Sequence, residues 1–151
     1  MSNTLKPYTM ITDFVTGKDL PNIGAEENRQ VIERFLIEQK GYLKEDIQID
    51  ADIEMTVAGE IYRSQLDLVI SADGGKTRFM AIRCVAGSLG SREREIVAAA
   101  RLLDNYQIPL SIVSNGQTAI VLDTVSGNKI GEGMDAIPSK EEVLEKLESL
   151  E

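Results

Sequence analysis

Histidine is absent from this 151-residue sequence, and cysteine occurs once, at Cys84. Without them zinc has no nitrogen and sulfur ligand set, and no histidine can act as general base or triad member. Any catalysis must rest on carboxylates, lysine, arginine, serine or a hard metal held by oxygen. A lone cysteine forms no internal disulfide, and the apolar neighbours of Cys84 make it a small buried hydrophobe. Both features predict a cytoplasmic protein. No apolar run approaches the length of a membrane span, and Met1 to Met10 lack an apolar signal core, so no membrane partner is expected. Basic residues are also scarce: 16 Lys and Arg stand against 25 Asp and Glu, a net charge of −9. Such a surface repels a phosphate backbone at long range. Avid nonspecific DNA binding is therefore not expected, and nucleic acid would be held only weakly, in a local basic cleft.

What is present reads as one globular domain over residues 1–151. Residues 1–22, with Pro7, Gly17 and Pro21, read as an irregular lead-in packed on that domain. Ala25 to Lys40 reads as a helix whose apolar face is Val31, Ile32, Phe35 and Leu36, ended by Gly41. From Ile47 to Val57 alternation is strict: Ile47, Ile49, Ala51, Ile53, Met55 and Val57 share one side of a half-buried strand. Ala58-Gly59-Glu60 turns into a second strand, about Tyr62 to Ile70. Asp73-Gly74-Gly75 supplies the positive φ that the next hairpin needs. Arg78 to Val85 is nearly continuously apolar, as a central strand covered on both faces should be.

Ser91 is placed to cap a helix running to about Asn105. Pro109 to Val113 and Thr118 to Leu122 read as strands around a Ser114-Asn115-Gly116 turn. A strand, a helix and a strand in that order imply a right-handed parallel crossover. Ser139 and Glu142 form a capping box opening a helix over 139–150, with Val143, Leu144, Leu147 and Leu150. No internal repeat or low-complexity tract is read. The fold class is α/β: a central mixed sheet, made of an antiparallel meander plus a parallel crossover, flanked by helices.

That order of elements resembles the restriction-endonuclease-like, or PD-(D/E)xK, nucleases, and specific residues sharpen the resemblance. Asp13-Phe14-Val15-Thr16-Gly17-Lys18 is similar to the D-P-x-x-G-K lead-in of the N-terminal domain of type I restriction enzyme R subunits. Glu26 to Gln30 resembles the family's E-x-x-R-Q, and Gly41 to Ile47 its G-Y-P-K-E-x-I. Arg63 to Val69 resembles R-x-D-I-V, which puts Asp67 on the family's metal-binding aspartate. Ser114-Asn115-Gly116 is similar to its T-N-G turn, and Asp123 to Gly127 to its D-x-x-x-G. The resemblance spans about Asp13 to Gly127. A full R subunit would also need a P-loop motor, for which no segment is read.

The departure lies in the chemistry. Where the family carries E-C-K, this chain has Arg83-Cys84-Val85, and the Q-x-x-x-Y of the following helix is absent from Glu95 to Arg101. In the family, aspartate and glutamate would hold Mg²⁺, a hard ion that demands oxygen, and metal and lysine would orient the attacking water. An arginine in place of the glutamate puts a cation where the dication should sit.

The resemblance therefore makes Glu26, Asp67 and Arg83 the residues at the former catalytic positions. The Arg83 and Val85 replacements favour an inactive module with no cofactor that binds nucleic acid or another protein subunit. The alternative is a divergent Mg²⁺-dependent endonuclease using Asp67 with Glu26 or Glu95. Asp67 is read as a strand carboxylate paired with a base: a hairpin centred on Gly75 sets it opposite Arg83, close enough for an ion pair. Glu26 reads equally as a solvated first-turn carboxylate favoured by the helix dipole. Gly87 to Ser91 reads as an ordinary strand-to-helix loop. With that loop's free N–H groups, Ser91, Arg92, Arg94 and Arg101 form a candidate anion site, in which Arg94 and Arg101 share a helix face.

Overall fold

The structure is a computed structural model and describes residues 9–149. Among the described residues, eight strands and three α-helices follow one another. They are β1 (Met10–Thr12), β2 (Asp19–Pro21), α1 (Glu26–Glu38), β3 (Ile47–Val57), β4 (Glu60–Ser71), β5 (Arg78–Cys84), α2 (Glu93–Leu102), β6 (Leu110–Ser114), β7 (Ala119–Asp123), β8 (Lys129–Glu132) and α3 (Lys140–Ser149). Strands β3 to β8 form one six-stranded sheet in sequence order, and β1–β2 form a separate two-stranded sheet. Only β5–β6 is parallel, bridged by α2, and the other pairs are antiparallel. The expected mixed sheet, an antiparallel meander joined to a parallel crossover, is present.

The core has two layers because β5 is buried on both faces. Met80, Ile82 and Cys84 pack with Ile32 and Leu36 of α1 and Val143 of α3, while Ala81 packs with Ile96, Val97, Ala99 and Ala100 of α2. That is why its sequence does not alternate. The C-terminal helix begins as its local chemistry dictates. Glu142 N–H donates to Ser139 Oγ at 3.2 Å, and Ser139 N–H donates to Glu142 Oε1 at 3.1 Å. The register Leu68↔Ile82 centres the β4–β5 hairpin on Gly75, whose φ is 95°.

The alternation of β3 does not mean what its sequence suggests. Ile47 and Ile49 pack with Leu68 and Ile70 under α1, whereas Ala51, Ile53 and Leu66 pack under α2. The paired ribbon turns over at Asp50, whose φ of 51° lies in the left-handed region. Aspartate tolerates that region better than branched residues do. The register places Asp50 opposite Asp67, between Ile49↔Leu68 and Ala51↔Leu66. The side chains of Met55 and Val57, expected on the same side, lie outside the described residues, as does Leu150.

Other expectations need correction. Within the described part of the lead-in, Met10 to Pro21 is a β1–β2 hairpin and not irregular chain. Its turn is duplicated in the β7–β8 hairpin, which periodicity did not reveal. Asp13-Phe14-Val15-Thr16-Gly17-Lys18 and Asp123-Thr124-Val125-Ser126-Gly127-Asn128 make the same bonds. The aspartate carboxylate accepts the N–H of Thr16 (2.8 Å) or Ser126 (2.9 Å). Its backbone carbonyl accepts the glycine N–H at 2.8 and 2.7 Å respectively. Strand β8 itself was not expected, because Lys129–Glu132 is short and mostly exposed. Val31 of α1 is 51% exposed, and the buried face of that helix is Arg29, Ile32, Glu33 and Leu36. Ser91 does not cap α2: a 3₁₀ turn at Gly90–Arg92 precedes it, and Arg92 occupies the N-cap without a side-chain bond.

Candidate functional site

The C-terminal end of β5 and the segment that follows it wall a cleft of about 570 Å³. Asp67, Arg83, Val85, Ser91, Arg92 and Glu95 are among its lining residues. Strand pairing brings Asp67 to Arg83 as expected: Nη1 lies 3.4 Å from Asp67 Oδ2 and donates to the Gln65 carbonyl at 3.0 Å. The Cys84 backbone N–H also donates to Asp67 Oδ2, at 2.8 Å. Helix α2 adds a second carboxylate, since Arg83 Nε lies 2.9 Å from Glu95 Oε1. This is an ion contact and not a hydrogen bond, because the buried Nε–H has no aligned acceptor among the described residues. Glu95 Oε2 in turn pairs with Arg92 Nη1 at 3.0 Å. The cleft is therefore lined by an alternating chain, Asp67–Arg83–Glu95–Arg92.

Burial pushes the Asp67 carboxyl above its ordinary range, outweighing the Cys84 N–H and the Arg83 charge that pull it down. Burial likewise pushes the Cys84 thiol well up, with Asp67 reinforcing the effect. Cys84 is only 6% exposed, as its apolar neighbours implied.

Glu26 stands apart from this chain. Arg29 grips it with two bonds, Nε to Oε2 at 2.7 Å and Nη2 to Oε1 at 2.8 Å, while Arg29 Nη1 reaches Asp50 Oδ1 at 2.9 Å. Glu26, Arg29, Asp50 and Asp67 line a smaller adjoining cavity of about 140 Å³. The solvated reading of Glu26 is replaced by that of a clamped, half-buried carboxylate. Behind it, Arg29 and Glu33 are among the buried groups of α1, and Gln30 Nε2 donates to Asp13 Oδ1 at 2.9 Å. Sequence reasoning missed Arg29, Glu33 and Asp50. The signal was available: Glu26, Arg29, Gln30 and Glu33 recur at the i, i+3, i+4, i+7 spacing of one helix face.

The residues present do not fit a magnesium site. A hard divalent ion needs several free oxygen ligands. Asp67 Oδ2 is engaged by Cys84 and Arg83, both Glu26 oxygens by Arg29, and both Glu95 oxygens by arginines. Among the described residues, no three His, Cys, Asp or Glu side chains come together as a metal-ligating group.

The expected anion cluster does not converge. Ser91 and Arg92 line the main cleft, whereas Arg94 and Arg101 line a separate groove of about 410 Å³ with Glu93 and Gly127. Arg94 and Arg101 do share a face, but helix geometry turns that face away from Arg92. Arg101 is also spent on structure, donating to the Thr124 and Val125 carbonyls at 3.0 and 3.1 Å. It thereby ties α2 to the β7–β8 turn.

Comparison with known proteins bears on this site. The family described as type I restriction enzyme R protein N terminus (HSDR_N) matches residues 24–138. A solved fragment assigned as the HsdR subunit of a type I restriction enzyme from Vibrio vulnificus YJ016 superposes with a TM-score of 0.62 at 10% identity. The match covers 83% of this chain and 25% of that one, so the chain spans about a quarter of the relative's length. No curated protein matches the sequence.

Proposed function

This chain belongs to the family of type I restriction enzyme R protein N-terminal domains, and from that premise we propose that it is a non-hydrolysing module whose cleft serves partner binding within a restriction-type assembly. One observation carries the reading. The Arg83 guanidinium stands between Asp67 and Glu95, at the position where the family's E-x-K strand would supply a metal-binding glutamate. A fixed monovalent cation satisfies both carboxylates without leaving coordination sites for water, so no nucleophile is generated. Val85, in the lysine position of the PD-(D/E)xK pattern, is buried among apolar residues and orients nothing.

The partner class favoured is a protein subunit. Both cleft arginines already face carboxylates, the other two point into a different groove, and the net charge is −9. A phosphate backbone would have to displace Glu95 from two cations to enter, so DNA contact is weak and salt-sensitive.

A second reading has one observation in its favour: Asp67 and Glu95 line the same cleft. If they acted as a divergent Mg²⁺-dependent pair, the protein would cut DNA. The test is incubation of the pure protein with duplex and single-stranded DNA in Mg²⁺ or Mn²⁺. No cleavage is the expected result. Cleavage that disappears in Asp67→Ala would replace the first reading with the second.

A further inference from the structure

Among the described residues, the β1–β2 hairpin makes no strand pairing with the main sheet. Its turn is held on α1 by polar contacts: Phe14 N–H donates to Gln30 Oε1 at 2.6 Å and Val15 N–H to Glu33 Oε1 at 3.1 Å. Asp13, in the hairpin turn, is 1% exposed, and Glu33, on the helix, is 0% exposed. Asp13 is well supplied with donors, from Thr16 N–H and Gln30 Nε2. The second oxygen of Glu33 has no hydrogen-bond donor among the described residues. Arg29 Nε approaches it only to 3.7 Å, and the donors of Arg29 already serve Glu26 and Asp50. Asp13 and Glu33 hold neighbouring N–H groups of the same turn and are each other's side-chain hydrogen-bond partners. Two such dry carboxyls, one lacking a donor, are satisfied when that one carries a proton and donates it to the other.

We infer that the β1–β2 hairpin is latched to α1 by a single proton shared between Asp13 and Glu33, and that the latch weakens as pH rises. The device borders the cleft, because the segment leaving β2 contributes Gly24 and Ala25 to the cleft wall beside Asp67. The groups facing Glu33 come from every side. They are Asp13 from the turn, Arg29 and, through it, Glu26 from α1, Asp50 of β3 through Arg29, and the Cys84 thiol from β5. Only Arg29 is a cation, and it is shared among three carboxylates.

Burial, reinforced by Asp13, pushes the Glu33 carboxyl up to about 8, from an ordinary 4.5. Asp13 moves the other way: burial would raise it, but bonds from Glu33, Gln30 and Thr16 together hold it low. The linkage sign follows. With the hairpin open, Glu33 ionises near 4.5, and closed it holds its proton to about 8. Opening therefore becomes about tenfold easier per pH unit between those values and levels off above them.

The test is amide hydrogen exchange on the full chain at pH 5 and pH 7, corrected for intrinsic rates. Protection of Phe14 and Val15 should fall about a hundredfold relative to β5 and β6. In Glu33→Gln, whose amide can still accept from Val15 and donate to Asp13, the fall should vanish. Equal pH profiles in the two proteins overturn the latch, as does constant hairpin protection in the parent. Should Glu33→Gln fail to fold, carbon-detected NMR titration of the Glu33 carboxyl decides. A midpoint near 8 supports the shared proton, and one below 6 overturns it.

Discussion

Replacing Arg83 with methionine keeps the aliphatic stem and removes the cation from between Asp67 and Glu95. Arg83 is 16% exposed and Asp67 27% exposed, so the pair is neither dry nor fully solvated. At their 3.4 Å separation, an effective dielectric of 20 gives an attraction of about 5 kcal/mol before desolvation is charged against it. Breaking a fully buried pair costs about 3–5 kcal/mol, because the survivor is left uncompensated. Here residual water and the Cys84 N–H still support Asp67, which lowers the expected loss to about 2 kcal/mol. For a chain of this length that is a drop in Tm of about 4–8 °C. Asp67 already sits above its ordinary range because it is buried, and losing Arg83 pushes it higher. A raised carboxyl loses stability as pH climbs above its unfolded value, so the penalty should be larger at pH 7 than at pH 4. Urea unfolding of Arg83→Met, Asp67→Asn and the double variant closes the cycle. A coupling energy of about 1–2 kcal/mol is expected. A single-variant loss below about 0.5 kcal/mol, with no coupling, would refute the claim that Arg83 neutralises the cleft.

Gly116 has φ of 87°, and a Cβ there would sit 3.3 Å from Val31 Cγ1, so Gly116→Ala should cost about 2 kcal/mol by denaturation, with partial rescue by Val31→Ala. Ser139→Ala removes one arm of the capping box and should cost about 1 kcal/mol in the same assay. Adding Mg²⁺ or Mn²⁺ should leave the Tm of the parent unchanged, and a saturable rise would show that the carboxylates of the cleft do bind a divalent ion. Short DNA titrated at low salt should bind weakly at most, and Arg94→Glu should change that binding little, because Arg94 lies outside the main cleft.

The sequence by itself determined what local chemistry can encode. Asp73-Gly74-Gly75 fixes the hairpin turn, and the one-residue register shift between Ile70 and Ser71, which the sequence did not announce, then sets Asp67 beside Arg83. Ser139 and Glu142 start α3 through bonds within four residues. The apolar run of β5 announces a strand covered twice. The motifs in their usual order were enough to mark the family.

What the sequence could not decide is which face or neighbour each residue finds. Alternation carried Ile47, Ile49, Ala51 and Ile53 to one side, but the backbone turns over at Asp50 and divides them between α1 and α2. Arg29 and Glu33 look like solvated helix charges until Asp13 and Asp50 arrive from a hairpin and a strand to meet them. Arg92 and Arg94 are two apart on a helix, and only the packing of α2 on the sheet sends one to the cleft and the other to a different groove. Turns, caps and runs are set by bonds between near neighbours, whereas the environment of a charge is set by elements far away in the chain, and the tertiary structure alone brings those together.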